Sequence, residues 1–198
     1  MAKEFWDSRY GDETYAYGIH PNKYFKKFVD NLQPGKLLLP GEGEGRNAVY
    51  AAKKGWDVTA IDLSLEGKKK AEILAEKNEV NIKYLVGDII DYPFDPQEFD
   101  VIALIFFHLS PEIRVHYHKK IINCLKTGGY LLIEAFSKDQ LGRSSGGPPI
   151  ETLLYDRYLL NQDFQTLDIM ELYQTEEILD EGPYHQGKAA LVRMLAKK

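Results

Sequence analysis

A chain of 198 residues is long enough to bury a substantial hydrophobic core without a disulfide or a metal to hold it together. Its apolar content of 44% and charged content of 28% are ordinary for a globular protein. The net charge of −5 argues against a nucleic-acid partner, because phosphate binding needs a clustered basic surface.

The chain contains a single cysteine, Cys124, so an intramolecular disulfide is excluded. This cysteine falls in an apolar helical segment, where we expect it to be a small buried side chain rather than a nucleophile. No apolar run is long enough to cross a bilayer, and the first residues lack a signal-peptide pattern. We therefore expect a cytoplasmic protein with no membrane partner.

The first 33 residues predict two helices around a turn rich in tyrosine and glycine. Beyond them, apolar strand-like runs alternate with helical patterns, which predicts a mostly parallel sheet with helices on both faces. The predicted strands are 36–39, 57–61, 82–86, 99–106 and 129–136. The predicted helices between them are 45–54, 64–78 with Ser64 as N-cap, and 111–125 with Ser110 as cap and Pro111 in the first turn.

The last third of the chain follows a different pattern. Residues 140–150 predict a flexible loop, and residues 165–180 and 186–196 predict two long strands. Because the link between those strands is short, they must pair antiparallel at one edge of the sheet. The chain carries no internal repeat or linker, so we expect one domain over 1–198, with a helical lid at 1–33 and an α/β core at 34–198.

The most informative segment follows the first predicted strand, where Gly41, Gly43 and Gly45 precede a helix. Glycines at such a turn let the backbone approach a ligand, and the helix N-terminus directs N–H groups into the same space. A dinucleotide site spaces its last two glycines by three residues, whereas here the spacing is two and Arg46 stands at the dinucleotide position. A tight turn with no ligand is the alternative.

Acidic residues end the next two predicted strands. Asp62 can accept hydrogen bonds from both hydroxyls of a ribose, although a helix-capping role is the alternative. Asp88 ends the third strand, where a simple turn residue is the alternative. Together with the glycine turn, these acids form a constellation at the carboxyl edge of the sheet, where open α/β sheets bind ligands.

On these residues, the chain resembles the class I S-adenosylmethionine-dependent methyltransferases, in the branch of tellurite-resistance and thiopurine methyltransferase-like proteins. The resemblance extends over nearly the whole length. The segments that carry it are 5–10, 17–22, 41–47, 61–64, 99–102, 106–111 and the tail from 181 to 193.

The resemblance implies a Rossmann-like, doubly wound α/β sheet of seven strands in the order 3-2-1-4-5-7-6, mostly parallel with a C-terminal antiparallel hairpin. It also implies S-adenosylmethionine as cofactor, a small-molecule methyl acceptor (a thiol or chalcogen, an amine or a hydroxyl), no metal, and a monomer or homodimer. The expected cofactor-binding residues are Trp6, Gly41, Glu42, Gly43, Gly45, Arg46, Asn47, Asp62, Leu63, Ser64, Asp88, Ile89 and Phe106.

The sequence departs from the family pattern at one place. Leu39 stands where the family has an acid, and Glu42 stands where it has a small residue. We therefore expect Glu42 to face the ammonium group of the cofactor.

His108 and His185 are the expected catalytic residues, with a structural role as the alternative for each. His116 and His118 fall in a helix surface pattern and are not expected to be catalytic. The expected substrate-binding residues are aromatic: Tyr10, Tyr17, Phe107, Tyr155 and Tyr184. Two other functions remain open, a non-catalytic S-adenosylmethionine-binding protein and an NAD-dependent oxidoreductase.

Overall fold

The structure, a computed structural model, describes residues 2–198. Its strands are β1 (Lys36–Pro40), β2 (Asp57–Asp62), β3 (Lys83–Val86), β4 (Phe99–Ile105), β5 (Leu125–Phe136), β6 (Asp168–Asp180) and β7 (Gln186–Lys197). In the described residues they form a seven-stranded sheet in the order β3-β2-β1-β4-β5-β7-β6. The predicted fold class and strand order are therefore confirmed.

Six α-helices accompany the strands in the part of the chain that the structure describes: α1 (Ala2–Tyr10), α2 (Lys23–Val29), α3 (Arg46–Lys53), α4 (Leu65–Lys77), α5 (Pro111–Cys124) and α6 (Arg157–Asp163). Helix α4 begins as predicted, because the Ser64 side chain accepts a hydrogen bond from the backbone N–H of Gly67. Ser110 is the N-cap of α5 by position, but its side chain makes no capping hydrogen bond. Helix α6 was not predicted.

The chain is divided into two compact units. The expectation of a single domain over 1–198 stays a prediction. The first unit comprises the chain up to Pro93 together with Glu181–Tyr184. In it, β2 pairs in parallel with both β1 and β3. The middle of β1 is fully buried, as expected for an apolar strand covered on both faces.

The second unit comprises Phe94–Asp180 and His185–Lys198. In it, β4 pairs in parallel with β5, while β7 pairs antiparallel with both β5 and β6. The predicted C-terminal hairpin is therefore confirmed. The pairing of its two strands runs without interruption from Glu171, opposite Leu195, to Asp180, opposite Gln186.

The predicted loop 140–150 is held near its start, since the buried Gln140 donates to Ser145 Oγ and accepts from the backbone N–H of Ala190, and its flexibility stays a prediction. One local expectation is corrected in this second unit. His118 was placed on a helix surface, yet it is 1% exposed. Its ring packs against Phe164 and its Nδ1 lies 2.9 Å from Asp163, both at the end of the unpredicted α6.

Among residues 2–198, no helix combines the length and the apolar character needed to span a membrane.

Candidate functional site

The glycine turn lies in the first unit, between β1 and α3. Gly41, Gly43 and Gly45 have φ values of 66°, 64° and 87°, in the left-handed region that glycine alone adopts without strain. A Cβ on Gly43 would stand 2.6 Å from the hydroxyl oxygen of Tyr10, so this glycine is also required for a close approach. Residues 42–45 are buried in this structure, so the glycines allow close packing as well as the turn itself.

Glu42 lies inside this turn and is buried. Its Oε1 accepts hydrogen bonds from the backbone N–H groups of Asn47 and Ala48, at 2.8 and 2.7 Å, so the carboxyl group caps α3. Burial raises the pKa of Glu42 to about 7. The expectation that Glu42 faces a cofactor ammonium stays a prediction. Leu39 is buried within β1 and offers no polar group in its place.

Asp62 ends β2 and is directed at the same turn. Its Oδ2 accepts from the backbone N–H of Gly43 at 3.0 Å, and its Oδ1 accepts from the N–H of Ser64 at 2.9 Å. Burial raises the pKa of this carboxyl group above its ordinary value. Each carboxylate oxygen can accept more than one hydrogen bond, so the group retains acceptor capacity for two ribose hydroxyls. The acceptor groups of Asp62 therefore fit the ribose of a bound nucleoside.

The end of β3 lies beside Asp62, because the backbone N–H of Gly87 donates to the Asp62 carbonyl at 2.9 Å. Asp88 is half-buried, and its Oδ1 accepts from the N–H of Ile90, which is the turn geometry considered as the alternative. Ile89, which lies between Asp88 and Ile90 in the chain, is buried. The structure thus brings the ends of β1, β2 and β3 together, while Asp88 already serves a local turn.

The aromatic residues near the N-terminus form a connected array on the first unit. Tyr10 is buried against Gly43, and the half-buried ring of Trp6 stacks on it with ring centroids 5.5 Å apart. Tyr17 meets Tyr10 edge-on at 6.4 Å and Tyr184 at 6.2 Å. Three of the five predicted substrate-binding residues, Tyr10, Tyr17 and Tyr184, therefore lie together.

A set of polar side chains, which we call the polar clamp, holds these segments to the glycine turn: Glu44, Arg46, Asn47 and Glu181. Glu44 accepts from the backbone N–H of Ala16 at 2.7 Å, and Asn47 Oδ1 accepts from the N–H of Asn22 at 2.9 Å. Arg46 donates to the carbonyl of Tyr17 and forms a buried ion pair with Glu181 at 2.9 Å. Arg46 and Asn47, expected to bind cofactor, thus have protein partners.

Sequence reasoning missed Glu44 and Glu181 as parts of the site. The charged side chains at alternate positions of the turn from 41 to 46 are the signal that could have identified Glu44. Nothing local identifies Glu181, because its partner Arg46 is 135 residues away in the chain.

Asp7 was also missed, although it lies within the segment 5–10 that carries the resemblance. Its Oδ1 accepts from the Ser64 hydroxyl at 2.6 Å and from the backbone N–H of Leu65 at 3.0 Å. Hydrogen bonds from Lys3 and Ser64 hold the pKa of Asp7 well below its usual range. Helix α1 is therefore attached to the N-terminus of α4 next to Asp62 and Leu63.

In the second unit, Phe106 directly follows β4 with a φ of 54°. A bulky residue in the left-handed region is strained, and such residues concentrate at functional segments. Its ring centroid lies 4.7 Å from that of Phe136 and 4.5 Å from that of the buried His185. Phe106 and His185, expected to bind cofactor and to act in catalysis, thus share one aromatic cluster.

His108 is engaged by the backbone on both sides of its ring, and its expected catalytic role stays a prediction. Its Nδ1 donates to the carbonyl of Leu153 at 2.8 Å, and its Nε2 accepts from the backbone N–H of Phe136 at 3.2 Å. Both ring nitrogens are therefore engaged by backbone atoms, which is the arrangement expected of the structural alternative. Removal from water lowers the pKa of His108 to about 4, which fits a neutral structural histidine.

Tyr155 contacts the loop that follows β4, and its expected substrate-binding role stays a prediction. The side chain is fully buried, and its hydroxyl donates to the carbonyl of Phe107 and accepts from the N–H of Leu109. Phe107 is half-buried, with its ring 6.2 Å from that of Tyr117. Of the two residues, only Phe107 presents part of its ring to solvent.

Comparison with known proteins agrees with this geometry. Residues 38–129 match a family model described as a methyltransferase domain. The chain is 27% identical over 148 residues to probable thiol methyltransferase 2 of Arabidopsis thaliana, covering 71% of this chain and 63% of that protein. It is 30% identical over 115 residues to the probable S-adenosyl-L-methionine-dependent methyltransferase TehB of Haemophilus influenzae, covering 56% of this chain and 39% of that protein. The chain thus spans less than two thirds of these curated relatives.

Solved structures share the fold over almost the whole chain. The crystal structure of TehB from Haemophilus influenzae superposes with a TM-score of 0.74 at 21% identity, covering 99% of this chain and 66% of that one. A structure described under the conversion of a disulfide bond into a thioacetal group during echinomycin biosynthesis reaches 0.78 at 17% identity, covering 100% and 92%. With the glycine turn, Asp62 and the strand order, these matches show that residues 38–129 are similar to a methyltransferase domain and that the chain has the fold of the class I S-adenosylmethionine-dependent methyltransferases.

Proposed function

We propose that this protein transfers a methyl group from S-adenosylmethionine to a small-molecule thiol or another soft nucleophile. The observation that carries the proposal is the buried carboxylate of Asp62, which accepts from the Gly43 N–H at the centre of the 41–45 turn. This arrangement offers acceptors for a ribose beside a glycine turn at the carboxyl edge of the sheet. The cofactor supplies an activated methyl group when bound.

The residues of this chain contribute binding, orientation and the exclusion of water. Tyr10 covers Gly43 in the glycine turn, and the rings of Trp6 and Tyr17 pack on Tyr10. A partly ionised thiol needs no general base, whereas a neutral alcohol or a protonated amine does. The engagement of both His108 nitrogens therefore favours a thiol over those acceptors. His185, buried beside Phe106, remains the candidate catalytic residue.

Two of the matched proteins are described in terms of sulfur chemistry, which supports a thiol acceptor. One sequence match is a probable thiol methyltransferase, and one structural match is described under the conversion of a disulfide bond into a thioacetal group. The single cysteine of the chain supports a cytoplasmic location, and we propose that location for this protein.

Methyl-labelled S-adenosylmethionine, offered with a panel of thiols, amines and phenols, tests the proposal. We expect labelled product with thiols first. Asp62→Asn should weaken cofactor binding at least tenfold, because it removes the charge from a hydrogen bond to the ribose. The matched control is Asp57→Asn at the exposed opposite end of β2, which should bind cofactor as the unmodified protein does.

A protein that binds the cofactor but methylates no member of the panel would contradict the transferase proposal and support the non-catalytic binder instead. Binding of NADH in place of S-adenosylmethionine would support an oxidoreductase.

A further inference from the structure

Arg9 is a cation without an anionic partner in the part of the chain that the structure describes. Its Nη1 donates to the Tyr17 hydroxyl at 3.2 Å, and its guanidinium carbon lies 3.8 Å from the ring centroid of Tyr184. Arg46, Arg114, Arg143 and Arg193 each form an ion pair with a carboxylate. Arg9 is half-buried and forms none among residues 2–198.

The position of Arg9 connects it to the predicted site. Tyr10 covers Gly43, Tyr17 meets the edge of Tyr10, and Arg9 lies against both Tyr17 and Tyr184. Arg9 is therefore linked through Tyr17 to Tyr10, the side chain that covers Gly43. Tyr17 and Tyr184 were predicted from the sequence to bind substrate, whereas Arg9 was not.

The chemistry of a guanidinium at such a place is specific. The group carries five N–H donors in a planar fork, and the structure uses one of them, which leaves a free edge that matches a carboxylate bidentately. The rings of Tyr184 and Phe5, with centroids 3.8 and 5.0 Å from the guanidinium carbon, hold the plane of the fork while leaving its edge open. A half-buried charge of this kind is stabilised when an anion arrives, because pairing offsets its lost hydration.

We propose that Arg9 binds a carboxylate of the methyl acceptor, so that the substrate is a small carboxylate-bearing thiol seated against Tyr17 and Tyr184. The acceptor class rests on the proposed function, but the carboxylate site does not require methyl transfer. Arg9 is a binding and specificity residue in this proposal, and it takes no part in proton transfer.

The test uses two probes of equal size, para-mercaptobenzoate and para-mercaptobenzamide, which differ in the charge of one group. Calorimetry with S-adenosylhomocysteine present measures binding without chemistry. We expect the unmodified protein to bind the carboxylate about tenfold more tightly than the amide, and Arg9→Gln to lose that preference. Arg9→Lys should retain part of it, because it keeps the charge but loses the fork.

The control is Arg157→Gln, which removes an exposed arginine of α6 that also forms no ion pair among residues 2–198. This variant should keep the preference for the carboxylate. Equal affinity of the unmodified protein for both probes, or no binding of either, overturns the proposal. So does a loss in Arg9→Gln that is the same for carboxylate and amide, since that result indicates a structural role for Arg9.

A methylation assay with the same two probes separates this inference from the proposed function. Selective carboxylate binding without methylated product would leave Arg9 as an anion site and refute thiol methylation. Methylation of both probes at the same KM would establish thiol methylation and refute the role of Arg9.

Discussion

Glu42 combines two properties that oppose each other. Its carboxyl group caps α3 through two backbone N–H groups, which favours the ionised form, yet it is enclosed, which favours the neutral form. Burial prevails, and the pKa rises from 4.5 to about 7. This residue is therefore only partly ionised at neutral pH.

The raised pKa predicts how stability depends on pH. Between about pH 4.5 and 7 the folded protein binds more protons at Glu42 than the unfolded chain does, so its contribution falls as the pH rises. The unmodified protein should lose about 2 to 3 kcal/mol relative to Glu42→Gln between pH 5 and 8. Urea unfolding of both proteins at the two pH values measures this change. A difference that stays constant with pH would show that Glu42 is ionised throughout.

At the scale of elements, the polar clamp attaches the segment between α1 and α2, and the turn between β6 and β7, to the start of α3. Its central contact is the ion pair of Arg46 with Glu181, in which both side chains are 8% exposed. Asn22 adds a hydrogen bond to the second oxygen of Glu181. Buried charges that keep their partners are tolerated, but removal of one partner leaves the other unpaired.

A double-mutant cycle of Arg46→Met and Glu181→Gln tests this arrangement. Each single substitution should cost about 3 kcal/mol or more of unfolding free energy, and the two should couple by more than about 1 kcal/mol. The exposed pair of Lys69 and Glu66 in α4 serves as the control cycle, and its coupling should stay below about 0.5 kcal/mol. Thermal or urea unfolding supplies all seven values, since both cycles share the unmodified protein. Equal coupling in both cycles would mean that burial does not strengthen the clamp.

At the scale of the whole molecule, a ligand that binds only the folded protein must stabilise it. S-adenosylhomocysteine at a hundred times its dissociation constant should add about 2.7 kcal/mol to the unfolding free energy. NADH at the same concentration should add nothing, and Asp62→Asn should reduce the gain from S-adenosylhomocysteine. Thermal shift measured against ligand concentration checks the prediction. Stabilisation by NADH alone would reverse the assignment of the cofactor.

The sequence by itself determined the strands, the hairpin, the glycine turn and the position of Asp62. These features depend on neighbours within a few residues: apolar periodicity, glycine spacing, and an acid directly after a strand. All of them appear in the structure within a few residues of the predicted bounds, the largest difference being the earlier start of β5 at Leu125. Helix α6 escaped prediction because it is one of the shortest helices and lies between a loop and a strand.

Only the tertiary structure decided what the polar side chains contact. His108 has the residue type and strand-end position of a catalytic group, but the backbone of Leu153 and Phe136 engages both of its nitrogens. Arg46 finds its partner 135 residues away, and Arg9 is left with aromatic neighbours and no carboxylate among residues 2–198. The physical reason is that hydrogen bonds and ion pairs are satisfied by whatever folding brings near, which local sequence does not encode.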